Sequence, residues 1–567
     1  MSKRIKRTAL TSILCIALLL AGCGGGAAAS AEAPAAVSET GSSAVTATVA
    51  AVDSGALFSK RDMDAGYDES AAVSIRLGGD TALCSSSAVA IDGGEITLLA
   101  EGVYILSGTL TEGQVVVDAG DGDKVQIVLS GADITSAASA AIYCREADKV
   151  FLTLAAGTEN SLSNGGSFQP VDDSNIDAVV FSKTDLTLNG SGSLTVTSPE
   201  GHGIVSKDEL TVTGGSYTLT ADRHGLTGKD SVAIAGGSFN ITSGSDGIHA
   251  ENADDAAKGF LYIADGSFNI DAQGDAISTC GQLQIDGGSF ALTAGGGSTA
   301  VTMKAGDTMQ RPGFRDFSAA GTPSDTADAT EDTASCKGIK ADGTLTVNGG
   351  SFDLDTADDA VHSGADVTIT GGEWSIRTGD DGIHADAAVL IQAGNLTIPY
   401  CYEGVEGQSV TIDGGTLDIT ARDDGINAAG GADGSGTAYG FGRQDPFAVD
   451  GSCAITINDG EITIVSDGDC LDSNGSLTIN GGTLKLTCSG NGNTAIDANG
   501  TYANNGGSIT TNDGSDSGTG GMGGGRGDMG GGRGDMGGGK PFGAEKAGGQ
   551  GMPREPGQQR PMPGAAA

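Results

Sequence analysis

Aromatic and basic residues are scarce in this sequence. Aromatic residues make up 4% of its 567 residues, and 30 Lys and Arg residues face 73 Asp and Glu residues, which gives a formal net charge of −43. A field of this sign repels nucleic-acid phosphates and anionic lipid headgroups, so it excludes direct binding to nucleic acid or to an anionic membrane as the main function. An anionic partner would need a bridging cation.

Paired cysteine motifs and long apolar runs are also missing. The sequence has no Cys-x-x-Cys motif, so a zinc ribbon or a thioredoxin-like site has no support. Beyond the N-terminus, no stretch is apolar enough to span a bilayer. Eight cysteines lie in the body of the chain, and this even number in an exported protein is compatible with disulfides or with free thiols. The eight are Cys84, Cys144, Cys280, Cys336, Cys401, Cys453, Cys470 and Cys488.

The N-terminus has the order of an export signal. A basic segment at residues 3–7 precedes a short apolar run at residues 9–20, and Leu-Ala-Gly-Cys follows at 20–23. This ending resembles a bacterial lipobox, which predicts a signal peptide at 1–22 and lipidation of Cys23. An ordinary cleaved signal is the alternative. We expect a lipoprotein on the cell surface, with a membrane contact through its lipid anchor and a flexible tether at 23–64.

The middle of the chain is a repeat, and much of its glycine belongs to it (97 residues in the whole chain). A large residue after Gly-Gly-x recurs 22 residues later, as from Tyr217 to Phe239, and an apolar residue after Asp-Gly recurs with the same period. Apolar and polar residues alternate between the glycine pairs, as in half-buried strands. Three short strands per 22 residues predict an all-β parallel β-helix, a solenoid that we place at residues 65–510. A Gly-rich, flexible tail is expected at 511–567.

The departures from the period are insertions. They lie near residues 251–258, at about 296–335, and between Ile426 and Ile462. Insertions in solenoids form loops, often around the binding face. Tyr439 and Phe441 in the third insertion are therefore candidate sugar platforms. Trp374 is not, because it shares its register with Phe239 and should lie in an internal aromatic stack.

Acidic residues recur just before the apolar residue of the Asp-Gly element. In a β-helix equivalent residues stack, so these carboxylates form columns in which neighbours repel each other by about 1 kcal/mol even in water. Ca²⁺, with six to eight oxygen ligands, would relieve that repulsion. Asp before Gly also forms simple turns, and this alternative stays open. The predicted metal ligands are Asp246, Asp275, Asp358, Asp359, Asp380, Asp381, Glu403, Asp423, Asp424 and Asp469.

Further polar residues lie next to these columns. The histidines stand in columns that also contain Asp and Asn, whose hard oxygen donors do not suit zinc. We therefore interpret the histidines as hydrogen-bonding groups for a sugar or as a solvated face, not as zinc ligands. The predicted sugar-binding residues are Lys340, His362, His384, Tyr402, Glu406 and Asn427.

Several segments are distinctive beyond the repeat. They include Ser-Gly-Thr-Leu at 107–110, and Ser-Lys-x-x-Leu at 182–186 and again at 206–210. With these segments the chain resembles, over residues 65–510, a bacterial family of carbohydrate-binding domain-containing proteins of the cell surface. The resemblance implies a right-handed parallel β-helix that binds calcium and cellulose or an acidic polysaccharide such as polygalacturonate.

Three functions remain open from the sequence. The first is a monomeric, non-catalytic module that binds a polysaccharide with the help of Ca²⁺. The second is a calcium-dependent pectate lyase, in which Lys340 or Arg422 would abstract the proton next to the uronate. The third is a structural or adhesion protein whose solenoid is a spacer.

Overall fold

A computed structural model describes residues 54–517 of the chain, except 170, 171, 173, 256, 304–334, 430–448 and 491. The predicted signal peptide, Cys23, Tyr439 and Phe441 lie outside the described residues, as does the tail beyond residue 517. In the described part the structure has a short helix α1 (Ser54–Leu57), a 3-10 turn at Ser515–Ser517, and 44 strands in one continuous sheet. No helix in these residues is long and apolar enough to cross a membrane.

The N-terminal strands include the two antiparallel pairings of the described sheet, β1 with β2 and β3 with β4. Parallel pairing then begins between β1 and β5 and between β4 and β6. The first ten strands are β1 (Val73–Gly79), β2 (Ala82–Leu83), β3 (Val89–Asp92), β4 (Glu95–Leu98), β5 (Gly102–Leu110), β6 (Gln114–Asp118), β7 (Lys124–Ser136), β8 (Ile142–Glu146), β9 (Lys149–Leu154) and β10 (Glu159–Asn164).

The following strands form regular coils of three strands, and each pairs in parallel with its equivalent in the next coil. They are β11 (Ala178–Ser182), β12 (Asp185–Gly190), β13 (Ser193–Ser198), β14 (His202–Ser206), β15 (Glu209–Val212), β16 (Ser216–Ala221), β17 (Leu226–Gly228), β18 (Ser231–Ile234), β19 (Ser238–Ser243), β20 (Ile248–Ala250), β21 (Phe260–Ile263), β22 (Ser267–Ala272), β23 (Ile277–Thr279), β24 (Leu283–Ile285), β25 (Ser289–Ala294), β26 (Ile339–Ala341), β27 (Leu345–Val347) and β28 (Ser351–Thr356).

The remaining coils continue the same order, with β32 and β34 each running across two faces. Their strands are β29 (Val361–Ser363), β30 (Val367–Ile369), β31 (Glu373–Thr378), β32 (Ile383–Ile391), β33 (Asn395–Cys401), β34 (Val405–Ile412), β35 (Thr416–Ala421), β36 (Ile426–Ala428), β37 (Ala454–Ile457), β38 (Glu461–Ser466), β39 (Leu471–Ser473), β40 (Ser476–Ile479), β41 (Thr483–Cys488), β42 (Ile496–Ala498), β43 (Tyr502–Asn504) and β44 (Ser508–Thr511). The predicted parallel β-helix is confirmed.

The core of the β-helix is built by the alternation within each strand. In β16, for example, Tyr217, Leu219 and Ala221 are buried while the residues between them are exposed. Because equivalent residues stack, the large residues form an aromatic ladder (Tyr217, Phe239, Phe268, Phe290, Phe352 and Trp374) with ring centroids 3.8–5.3 Å apart. Trp374 is 3% exposed and closes this ladder, as its register predicted.

The glycine before each ladder aromatic is required by space and by backbone angle. Gly288 has a φ of +117°, which residues with a side chain rarely adopt. A Cβ there would lie 3.0 Å from the carbonyl oxygen of Gly266 and 3.1 Å from the ring of Phe290. The Gly-Gly-x-aromatic repeat is therefore a turn in which the ring of each coil lies against its own glycine.

Insertions leave the stacking register unchanged. Ile277 pairs with Ile339 across residues 304–334, and Ile426 pairs with Leu471 across residues 430–448. The strands before and after each insertion therefore pair in the same register as strands of neighbouring coils elsewhere.

Part of the segment predicted as a tether packs onto the β-helix. Asp62 is 2% exposed, it accepts a hydrogen bond from Thr187 at 2.6 Å, and its carboxylate lies 2.9 Å from the ammonium of Lys149. Nearby, Arg61 donates to Gln126 at 2.6 Å. Residues just before the predicted boundary at residue 65 thus have polar partners on strands far along the chain.

None of the eight body cysteines forms a disulfide. Most of them are buried, and burial raises the pKa of Cys144 and of Cys470 to about 12. They serve as small apolar residues of the coils rather than as cross-links.

Candidate metal and carbohydrate site

The predicted acidic columns exist, and several of their carboxylates use one oxygen to accept a backbone N–H of the next coil. Backbone N–H groups donate to the column residue of the preceding coil, as from Asp275 to Asp246 Oδ1 (3.0 Å), from Lys337 to Asp275 Oδ1 (2.7 Å) and from Glu403 to Asp381 Oδ1 (3.1 Å). The same bond recurs from Asp381 to Asp359, from Asp469 to Asp424 and from Thr494 to Asp469. Part of the acidic pattern is thus structural, because it satisfies backbone donors at the turn.

The carboxylates nearer the N-terminus use their second oxygen on protein partners. Asp246 Oδ2 accepts from Ser278 Oγ at 2.6 Å and lies 3.2 Å from His249 Nδ1. Asp275 Oδ1 also accepts from Ser335 Oγ at 2.7 Å, and its Oδ2 lies 3.8 Å from the ammonium of Lys340. With these contacts, Asp246 and Asp275 are satisfied by the protein itself.

The doubled Asp pair at 358 and 359 contains an internal cation. The ammonium of Lys337, whose side chain is 9% exposed, lies 2.7 Å from Asp358 Oδ2 and 3.1 Å from Asp359 Oδ2. Burial alone would raise the pKa of Asp359, but its hydrogen bond with His362 (2.9 Å) and the charge of Lys337 lower it. The sequence predicted that Ca²⁺ neutralises these two carboxylates, but part of the positive charge comes from Lys337.

His384 is a second internal cation. It is 1% exposed, and its Nδ1 lies 2.8 Å from Glu406 Oε2 and 3.5 Å from Asp381 Oδ2. Burial alone would lower the pKa of His384, but these carboxylates raise it to about 11. The ring stacks on His362 with centroids 4.9 Å apart. Protonated His384 therefore neutralises the middle of the columns.

The predicted sugar-binding residues differ in accessibility. Tyr402, at 9% exposed, has little ring surface left to serve as a platform. Asn427 is 7% exposed and donates to both oxygens of Glu403, at 3.1 and 2.9 Å. Lys340, His362 and Glu406 are partly exposed, so among the predicted residues these are the ones that a ligand can reach more easily.

Among the described residues, four groups of side chains have ligand atoms that lie within 4.8 Å of one another and could hold a metal ion. They are Asp359, His362 and His384; Asp381, His384 and Glu406; Asp358, Asp359 and Asp380; and Asp469, Asp472 and Asp497. The first three contain His384, His362 or the pair neutralised by Lys337. Histidine, which the sequence analysis set aside as a ligand, belongs to two of them.

The fourth group, Asp469, Asp472 and Asp497, which we call the C-terminal acidic cluster, has no internal cation. Asp472 and Asp497 are direct register partners on β39 and β42, and within the described residues no basic side chain forms an ion pair with any of the three. Burial, then the neighbouring carboxylates, raises the pKa of Asp469 to about 7 and that of Asp472 to about 6. Three carboxylates offer only hard oxygen donors, which is the ligand set that Ca²⁺ prefers.

The two raised pKa values predict that the metal-free protein is less stable at neutral pH than in mild acid. Asp469 and Asp472 hold protons more tightly when folded than at their ordinary pKa of 3.8. The protonated carboxyl groups therefore stabilise the folded protein fully below about pH 3.8, and this stabilisation is lost as the pH rises through about 6 to 7. We expect the free energy of unfolding in chelator, measured by urea denaturation, to fall by several kcal/mol between pH 4 and 7, because each unit of pKa shift corresponds to about 1.4 kcal/mol.

The double variant Asp472→Asn/Asp497→Asn supplies the control for this pH dependence. Amides cannot titrate, so the fall should shrink in the variant. An equally steep fall in the variant would show that other groups cause it.

The structure does not bring the two predicted lyase bases together. Lys340 lies on β26, 3.8 Å from Asp275 Oδ2 and 3.7 Å from Asp342 Oδ1. Arg422 precedes β36, several coils away, with its guanidinium 3.8 Å from Asp467 Oδ2. The two basic side chains thus lie beside different carboxylates in separate coils.

Sequence reasoning missed three important residues of this region. Lys337 was visible in the column but received no role, and Asp472 and Asp497 follow the apolar residue of their coils instead of preceding it. The position one residue beyond the apolar residue points to the two aspartates, whereas Lys337 lies in the column itself, two residues before Ile339.

Comparisons with known proteins match parts of this chain. The chain is 36% identical over 129 residues to a carbohydrate-binding domain-containing protein of Acetivibrio thermocellus, which is 22% of this chain and 45% of that relative. The chain therefore matches about half the length of this curated relative. It is also similar to the solved structure of a polysaccharide lyase-like protein from C. thermocellum, a gadolinium derivative, with 34% identity over 38% of this chain and 89% of that one, at a TM-score of 0.38.

A family model described as carbohydrate-binding domain-containing protein matches residues 92–382 and 380–517. These two matches cover most of the β-helix, from its first coils to its last strands. The chain therefore belongs to the family of carbohydrate-binding domain-containing proteins.

Proposed function

We propose that this protein is a lipid-anchored, cell-surface module that binds an acidic polysaccharide with the help of Ca²⁺ held at the C-terminal acidic cluster. The anchor and the location rest on the sequence around Cys23. The polysaccharide rests on membership of a carbohydrate-binding family. Polygalacturonate and cellulose, which the resemblance implied, are the ligands to test first.

The observation that carries the calcium site is the absence of an internal cation at the C-terminal acidic cluster. At Asp358, Glu406 and Asp246, by contrast, a lysine, a histidine and a serine contact the second carboxylate oxygen. At the cluster, the raised pKa values of Asp469 and Asp472 instead express the repulsion among the three acids and their burial. A divalent cation would replace those protons and remove the repulsion.

Asp469, Asp472 and Asp497 would hold the ion, and the ion would supply a positive charge that a uronate carboxylate can approach. The overall charge of −43 otherwise repels such a ligand. The residues of the chain provide the carboxylates and their fixed positions on neighbouring coils, so that the ion would lie at one place on the solenoid surface.

Binding to polygalacturonate tests this function. We expect the full chain to be retained on immobilised polygalacturonate in Ca²⁺, with retention reduced about tenfold or more in chelator or in Asp472→Asn/Asp497→Asn. Asp418→Asn is the matched control, because Asp418 is exposed on β35 in a different column. No retention of the wild type on polygalacturonate or cellulose, with or without Ca²⁺, would refute the proposal.

The same samples also test the lyase alternative through the absorbance of unsaturated products. A calcium-dependent signal that Lys340→Ala abolishes would replace binding by catalysis as the function. Retention without such a signal supports the non-catalytic module over the lyase.

A further inference from the structure

A cleft of about 490 Å³ opens on the solenoid beside β14, β17 and β20. Six of the residues that line it, His202, Lys207, Arg223, His224, Thr227 and His249, form what we call the histidine cleft. The equivalent strands β23, β26, β29, β32, β34 and β36 separate this cleft from β39, where the C-terminal acidic cluster begins. At about 4.8 Å per coil, the two sites lie roughly 30 Å apart.

Three imidazole rings are stacked along one side of the histidine cleft. The centroids of His202 and His224 are 5.0 Å apart, and those of His224 and His249 are 4.9 Å apart. Nδ1 of His202 accepts the backbone N–H of His224 at 3.3 Å, and Nδ1 of His224 accepts that of Asp246 at 3.0 Å. Because Nδ1 is the acceptor, the proton of these neutral rings lies on Nε2, which remains a hydrogen-bond donor.

Two buried oxygens at the cleft have no partner in the described structure. Thr227 is 3% exposed, and its Oγ1 makes no hydrogen bond with any described residue. Oδ1 of Asp177, which also lines the cleft, is equally buried and unpaired. A buried polar group without a hydrogen-bond partner is unfavourable, so both oxygens favour a ligand that brings hydroxyl groups.

The cleft contains two basic side chains, Lys207 and Arg223, beside two acidic ones, Asp177 and Glu251. Arg223 is exposed, and its guanidinium forms no ion pair with a described residue. Lys207 lies 3.6 Å from Glu251 and 5.9 Å from the ring of Phe181, so its charge is partly used within the protein. A free guanidinium can bind a carboxylate through two parallel hydrogen bonds.

We propose that the histidine cleft is a second binding site, which takes a uronate unit of the polysaccharide without a metal ion. The carboxylate pairs with Arg223, while sugar hydroxyls bind Thr227, Asp177 and the Nε2 donors of His202 and His224. This inference rests on the proposed function for the acidic nature of the polysaccharide, but its chemistry is independent of Ca²⁺. A long polyuronate can then contact the solenoid at two sites.

Titration calorimetry of the full chain with trigalacturonate in chelator tests the cleft. We expect binding to persist without Ca²⁺ and to weaken by about tenfold or more in Arg223→Gln and in Thr227→Val, which keeps the shape but removes the hydroxyl. Arg377→Gln is the control, since Arg377 is exposed on β31 outside the cleft. A neutral oligosaccharide, cellotriose, should bind far less.

The outcomes separate this proposal from the function on which it rests. Binding that disappears completely in chelator but is present in Ca²⁺ overturns the cleft and leaves the calcium-assisted function standing. Chelator-resistant binding that Arg223→Gln and Thr227→Val do not change also overturns the cleft. No binding of trigalacturonate and no retention on polygalacturonate in either condition refutes the proposed function itself.

Discussion

Replacing Lys337 with methionine is expected to destabilise the protein by about 3–5 kcal/mol in chelator. The ammonium of Lys337 lies within 3.1 Å of both Asp358 and Asp359, and its side chain is almost completely buried. Methionine fills much of the same volume but leaves two neighbouring carboxylates without their cation. The free energy of unfolding from urea denaturation measures the loss.

The same variant should acquire a response to calcium. Without Lys337, the oxygen atoms of Asp358, Asp359 and Asp380 form a group that could hold a metal ion and has lost its internal cation. We expect Ca²⁺ to raise the melting temperature of Lys337→Met more than that of the wild type.

Lys485→Met is the control for this variant, because Lys485 is exposed on β41. A small loss of stability in Lys337→Met, comparable with that of the control, would mean that the lysine does not neutralise the pair. An unchanged calcium response would show that these carboxylates do not accept the ion when the lysine is gone.

Truncating the aromatic ladder at its centre should be about as damaging. Phe290 is 2% exposed and stacks between Phe268 and Phe352, with centroids 4.7 Å away on each side. Phe290→Ala removes contacts with both neighbouring coils and leaves a cavity, which costs about 3–5 kcal/mol. Urea denaturation followed by circular dichroism gives the value.

Phe290→Leu provides a graded comparison, because Leu396 and Leu417 occupy the same position in later coils. It should cost clearly less than the alanine variant. Since each coil contacts mainly its neighbours, the alanine variant can also divide unfolding into two transitions on either side of the defect. Equal losses in the two variants would contradict the stacking argument.

The sequence was sufficient for the fold because the β-helix is periodic. The spacing from Tyr217 to Phe239 is the same as the register that pairs them, so a pattern along the chain translates directly into contacts. The same reasoning placed Trp374 in the interior rather than on the surface. Packing of Asp62 could not be found in this way, because its partners Lys149 and Thr187 follow no repeat.

The candidate site was only partly accessible to the same reasoning. The repeat register predicted that the carboxylates form columns. It did not show which carboxylate oxygen accepts each backbone N–H, or where the ammonium of a buried lysine lies. Those depend on side-chain direction at a single coil, as for Lys337 between Asp358 and Asp359. The histidine cleft depends likewise on Asp177, which comes from a turn outside the regular repeat.

The unchanged pairing across residues 304–334 and 430–448 makes this solenoid a natural acceptor for new sequence. The strands that flank each insertion meet their partners as if nothing intervened. Because the entropy of closing a loop grows only slowly with its length, segments of different size can be exchanged there at small thermodynamic expense. At these two positions, binding loops can change in length and sequence while the β-helix stays the same. Both positions are also suitable for grafting peptides by protein engineering.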